Sequence, residues 1–166
     1  MLTNISDKIN SINRTLGRLF AWLTFAMVLL MFANVISRYL FDINLVWQQE
    51  LVGFMHAIVF LGASGYTLLS DKHVRVDVIY HNLSTQKKAI VNLVGTILFL
   101  LPVAFAISYL SADFIIHSWQ LQEASAEYNG IKGVFVLKTF IWVFSGSLIL
   151  QGFSIILRSL ILLKKT

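Results

Sequence analysis

Apolar and polar positions along this chain sort into four long apolar stretches separated by polar turns. Residues 46–69 carry no charge apart from Glu50 near their start. At about 1.5 Å rise per residue a helix of that length covers roughly 36 Å, against a hydrocarbon core of about 30 Å. The same reasoning predicts spans over residues 19–40, 89–116 and 134–157, the first broken only by Thr24, Asn34, Ser37 and Arg38. Pro102 inside the third span should kink it, and Ser84 is placed to cap its start. Ahead of the first span, Ile5, Ile9, Ile12, Leu16 and Leu19 recur at helical spacing, with Asp7, Lys8, Asn10, Asn13 and Arg14 between them. That pattern predicts an N-terminal amphipathic helix lying in the interface; the plainer alternative is a helical extension of the first span. Val74, Val76 and Val78 alternate with Arg75 and Asp77, which is strand-like locally. Free strand edges do not lie in hydrocarbon, so such a segment belongs at the interface or against protein.

The expectation is an all-α membrane protein of four transmembrane helices, residues 1–166 forming a single domain. Composition agrees: 57% hydrophobic, 13% charged and a mean hydropathy of +0.76. The apolar run of the first span exceeds the roughly 7–15 residues of a secretory leader, and no A-x-A-like site follows. Cysteine is absent, which removes disulfides and thiolate metal sites. The net charge of +5 does not indicate nucleic acid, because the cations sit at the ends of apolar spans rather than in a run.

Those cations predict orientation. Ten of the thirteen fall before the first span, between the second and third, and after the fourth; Arg38, Lys132 and Lys138 fall at the other end. The positive-inside rule places both termini in the cytoplasm.

Catalysis and cofactors are not indicated: no GxSxG, HExxH or phosphate-cradling glycine loop is present. Gly53, Ala57, Gly62, Ala63, Ser64 and Gly65 give the second span a small-residue surface suited to close helix contact. Arg38 lies within one turn of Asp42 and across a short turn from Glu50, so an ion pair closing the first hairpin is expected. A proton path through those three is the alternative, although Glu50 is too near the interface for a midplane site. His56 is an intramembrane ionisable group. As a haem ligand in the membrane anchor of a respiratory enzyme it needs a second histidine at similar depth, and His117 is too shallow. The plainer reading is a neutral histidine hydrogen-bonded across helices.

Four short motifs then fall in order: Ser37-Arg38-Tyr39-Leu40-Phe41, Trp47-Gln48-Gln49-Glu50, Phe60-Leu61-Gly62, and Asp71-Lys72-His73-Val74-Arg75-Val76-Asp77. With four spans and this length, the chain resembles the small membrane subunit (DctQ type) of tripartite ATP-independent periplasmic (TRAP) transporters. Where many members have two acids after the tryptophan, this chain has Gln49-Glu50, and it lacks the proline that often precedes the fourth span. The resemblance implies a bacterial inner-membrane subunit without chemistry, substrate site or cofactor. It implies a large multi-span partner that moves substrate and sodium, lipids at the subunit interface, and a periplasmic substrate-binding protein. That protein would deliver an organic acid such as a C4-dicarboxylate or sialic acid. On this reading Gly53, Ala57, Gly62 and Ser64 pack against the partner, and His73, Arg75 and Asp77 form a cytoplasmic collar. Trp47, Glu50, Trp119, Glu123 and Glu127 form a periplasmic docking surface. A haem- or quinone-associated anchor is the rival from another class, and a self-sufficient small exporter a third reading.

Overall fold

The structure is a computed structural model that describes residues 2–70, 80 and 82–164. The collar residues His73, Arg75 and Asp77, and the alternating valines around them, lie outside the described residues. Within that range four helices are long and apolar enough to cross a membrane: α1 (Leu2–Phe41), α2 (Val46–Leu69), α3 (Thr85–Gln120) and α4 (Val134–Lys164). No strand occurs among the described residues. At about 1.5 Å per residue the 40 residues of α1 reach roughly 60 Å, twice a bilayer core, so the helix runs well beyond the hydrocarbon.

Inside α2 the backbone ladder continues through Ala63, whose N–H reaches Val59 O and whose carbonyl accepts from Thr67. Ser84 caps α3, its hydroxyl accepting from Lys87 N. Pro102 has no N–H to offer Leu98 and its ring crowds that carbonyl. The helix responds with a wide turn over Thr96–Leu100, in which Leu101 N–H reaches back five residues to Thr96 O.

The first forty residues overturn the expected interfacial helix: α1 is one uninterrupted helix, and its N-terminal third packs against α4. Its buried stripe is Ser6, Asn10, Asn13 and Gly17, whereas Ile5, Ile12 and Leu19 are exposed. Asp7, Lys8, Arg14 and Arg18 share that exposed surface, while the amides and hydroxyls, which need partners away from water, turn inward to α4.

Around α4 the other three helices gather. Its buried positions are Ser145, Ser147, Leu148, Gln151, Gly152, Ser154 and Ser159. Asn13 Nδ2 donates to Gln151 Oε1 (2.8 Å), and Ser154 Oγ donates to Asn10 Oδ1 (2.9 Å). Ser6 and Ser154 share a hydroxyl bond (2.7 Å), as do Ser64 and Ser147 (2.9 Å). At the end of this seam Arg158 Nε donates to Ser6 Oγ at 3.0 Å and its guanidinium reaches Asp7 at 3.3 Å. The N-terminal end of α1 and the C-terminal end of α4 therefore share one end of the bundle.

α1 and α2 interlock by exchanging glycines and rings. A Cβ on Gly17 would lie 2.3 Å from the Tyr66 ring, and one on Gly62 would lie 2.2 Å from Phe20. Gly65 likewise admits Asn13 and Ser147. This corrects the assignment of Gly62 and Ser64 to a subunit interface. Both are buried inside the chain, Gly62 against α1 and Ser64 against α4. Gly53, with nothing within 4 Å of a built Cβ, remains on the exterior.

Candidate functional site

At the other end of the bundle, residues 121–133 fold into a cap between α3 and α4. Its chain reverses through Gln122 (φ 47°) and Asn129 (φ 59°), left-handed positions that asparagine tolerates better than most residues. Ser125 N–H donates to Ile131 O at 2.9 Å, Gly130 N–H to Glu127 O at 3.0 Å, and Val134 N–H to Glu123 O at 3.1 Å.

Two carboxylates hold this cap, Glu50 reaching it from α2 and Glu123 tying it from within to α3 and α4. Glu50, in the first turns of α2, accepts from Ile131 N–H at 2.6 Å and from the Ser125 hydroxyl. Gly130 sits so close that a Cβ there would meet Glu50 Oε2 at 2.7 Å and Ser125 at 2.6 Å. Glu123 accepts from Ser118 Oγ at 2.6 Å and pairs with Lys138 of α4. The Lys138 ammonium also lies 3.8 Å over the Phe114 ring. The Lys138 hydrogen bond, followed by that from Ser118, holds the Glu123 carboxyl below its ordinary value. Trp119 Nε1 donates to Thr139 Oγ1 at 2.9 Å, and its ring meets Phe135 edge-on at 4.6 Å.

The expected ion pair of Arg38 with Glu50 or Asp42 is not formed. Both oxygens of Glu50 are taken by the cap, and ion pairs among the described residues join Lys138 to Glu123 and Arg158 to Asp7. Arg38 is exposed and faces another way, with Asn34, Tyr39 and Gln49, into a cleft of about 370 Å³. Asp42 occupies a left-handed backbone position (φ 53°) in the turn after α1.

Of the five residues expected to form a docking surface, Trp47 and Glu127 are exposed without side-chain hydrogen bonds. Glu50, Glu123 and Trp119 have side chains bonded within the chain. Sequence reasoning missed Tyr128, 88% exposed at the tip of the cap, and the buried pair Asn13 and Gln151. The clue to Tyr128 was its position beside Asn129-Gly130, a dipeptide that marks a turn. His56 is exposed on α2 and has no hydrogen bond across helices; it lines an apolar groove between α1 and α2 of about 650 Å³.

Together, four apolar helices, an interior of bonded hydroxyls and amides, and a hydrogen-bonded cap define a multi-pass helical membrane protein. The sequence profile of the DctQ component of tripartite ATP-independent periplasmic transporters matches residues 27–165. The chain belongs to that family. It is similar to the C4-dicarboxylate TRAP transporter small permease protein DctQ of Vibrio cholerae serotype O1 (strain ATCC 39315 / El Tor Inaba N16961). The two are 43% identical over 61 residues, which is 37% of this chain and only 26% of the relative's length. No solved structure matches the chain.

Proposed function

We propose that this chain is the fixed, non-catalytic subunit of a sodium-coupled importer in a bacterial inner membrane, with C4-dicarboxylates as the substrate class. The substrate class follows that of the relative from V. cholerae. A large multi-span subunit carries substrate and sodium, and a periplasmic substrate-binding protein delivers the acid to the pair. Both termini are cytoplasmic, following the distribution of Lys and Arg, and the four helices act as one domain.

The observation that supports scaffolding most directly is the distribution of polarity. The hydroxyls and amides of the spans bond to one another along α1, α2 and α4, while the outward face of α1 presents Trp22, Phe25, Leu29 and Phe32. A polar seam of that kind locks helices of one chain together. It leaves an apolar exterior for a second subunit, with Gly53 and Ala57 at the margin of that face. The collar of His73, Arg75 and Asp77 meets the partner at the cytoplasmic end, and Trp47, Glu127 and Tyr128 face the binding protein.

Reconstitution tests this. Vesicles holding the large subunit and this chain, given the binding protein, an inward sodium gradient and radiolabelled succinate, should accumulate label. Omitting this chain should abolish uptake. Full uptake without it removes the scaffold role, and a haem Soret band in the purified chain moves it to the respiratory-anchor class.

A further inference from the structure

Within the cap, residues 125–131 form a small loop closed on itself. Ser125 N–H donates to Ile131 O at 2.9 Å, Gly130 N–H to Glu127 O at 3.0 Å, and Glu127 N–H to Ser125 Oγ at 3.1 Å. Asn129 reverses the chain near the tip in a left-handed conformation (φ 59°). Glu50 then takes both ends of the loop. The Ser125 hydroxyl donates to one of its carboxylate oxygens and Ile131 N–H to the other, at 2.6 Å. That clamp comes from another helix, 75 and 81 positions earlier in the chain. Gly130 leaves room for it, since a Cβ there would meet Glu50 Oε2 at 2.7 Å.

Beyond the clamp Tyr128 stands 88% exposed between Glu127 and Asn129, which are exposed as well. A phenol left in water adds nothing to the packing of the fold, yet the backbone beneath it is fixed on both sides. Tyrosine recurs at interface hot spots because a large, stiff ring buries much area at small entropic cost. Fixing the loop that carries the ring before contact lowers the ordering cost of association further.

We propose that Tyr128 is the anchor on which the periplasmic substrate-binding protein docks, and that Glu50 is the positioning residue that keeps its loop in the docking conformation. The matching site on that protein is an apolar slot for the phenol, with a basic rim facing Glu127. This rests on the reading that a periplasmic protein docks at this end of the bundle, and adds which residue anchors it and which residue holds the anchor. Glu50 acts only through the loop it clamps.

The test uses vesicles holding the large subunit and this chain, with uptake of radiolabelled succinate measured against rising concentrations of the binding protein. Tyr128→Ala should raise the half-saturating concentration about thirtyfold, the loss of an aromatic hot spot, and leave the maximal rate at the wild-type level. Glu50→Ala should raise it about tenfold with the same maximum. Glu50→Gln, whose amide can accept from Ile131 N–H and donate to Ser125 Oγ, should recover most of that loss. Gly130→Ala pushes the carboxylate away without removing it and should match Glu50→Ala. In the Tyr128→Ala background, Glu50→Ala should add less than about twofold, because the anchor it positions is gone. Gly62→Ala, which strains the α1–α2 contact away from the cap, should leave the half-saturating concentration unchanged. A further tenfold in the double variant overturns the positioning role, as does a lower maximum at unchanged half-saturation in Glu50→Ala. Wild-type half-saturation in Tyr128→Ala overturns the anchor while the transport reading stands. Wild-type uptake that ignores the binding protein removes the docking reading and the proposal with it.

Discussion

Glu50 accepts a hydrogen bond at 2.6 Å from the backbone N–H of Ile131, 81 positions further along the chain. That contact ties the start of α2 to the cap between α3 and α4, so the two halves of the bundle are joined at this end by a carboxylate.

Replacing Glu50 by Ala should therefore loosen the cap rather than the first hairpin. Hydrogen bonds to a charged group contribute about 1.5–3 kcal/mol each, less where water reaches them. Hydrogen exchange at Ile131 and Ser125 should accelerate in Glu50→Ala and stay unchanged in Arg38→Ala. The double variant should lose the sum of the two single losses, within about 0.5 kcal/mol, because the side chains share no contact. A coupling well above that value restores the ion pair.

Gly62 and Gly53 lie on the same helix and should respond with opposite signs to one added methyl group. At Gly62 the new Cβ falls 2.2 Å from Phe20, and overpacking of this kind costs about 1–3 kcal/mol. At Gly53 nothing lies within 4 Å, so alanine there should be neutral or stabilise by up to about 1 kcal/mol through helix propensity. Thermal midpoints of the isolated chain, Gly62→Ala lowered and Gly53→Ala level or raised, check this without any partner present. Equal midpoints refute the packing described.

The Glu123–Lys138 pair predicts how the cap responds to acid. Its folded-state carboxyl lies below the ordinary value of 4.5, so the stabilisation is complete above that value and is lost as pH falls through the lowered one. Trp119 is bonded to Thr139 beside the pair and reports on it by fluorescence. Emission should hold steady from pH 7 to 5 and change only below about 4.5, the ordinary value. Lys138→Met should raise the midpoint of that change. A wild-type transition near pH 6 excludes Glu123 as its cause.

Asn13 and Gln151 hold α1 to α4 through a 2.8 Å bond with both side chains buried. Interhelical hydrogen bonds in membranes average about 0.6 kcal/mol and reach about 1.7. Asn13→Ala and Gln151→Ala should each destabilise the chain in a steric-trapping or detergent unfolding assay. Together they should cost less than the two losses summed, by the coupling of that one bond, since without Asn13 the Gln151 side chain keeps only its donation to Asn10 Oδ1 at 3.3 Å. Strict additivity means that the bond contributes nothing.

Hydropathy alone determined that four helices would be long and apolar enough to cross a membrane, although α1 starts at Leu2, well before the expected residue 19. Length and apolar content suffice for that, because a segment in lipid must satisfy its own backbone. The motif order around Arg38, Trp47 and Gly62 was enough for the family. Periodicity misplaced the face of α1, since its isoleucine stripe looks like a core in water, and only the packed bundle turns Asn10 and Asn13 toward α4. Sequence proximity likewise paired Arg38 with Glu50, a contact available along the chain. The tertiary structure instead brought Ile131 and Ser125 to that carboxylate from 81 and 75 positions away. A local pattern carries helix length and amphipathic spacing; it does not record which distant donors arrive first at an acceptor, and that competition turned Glu50 and Glu123 to partners within this chain, as the Phe20 ring did Gly62.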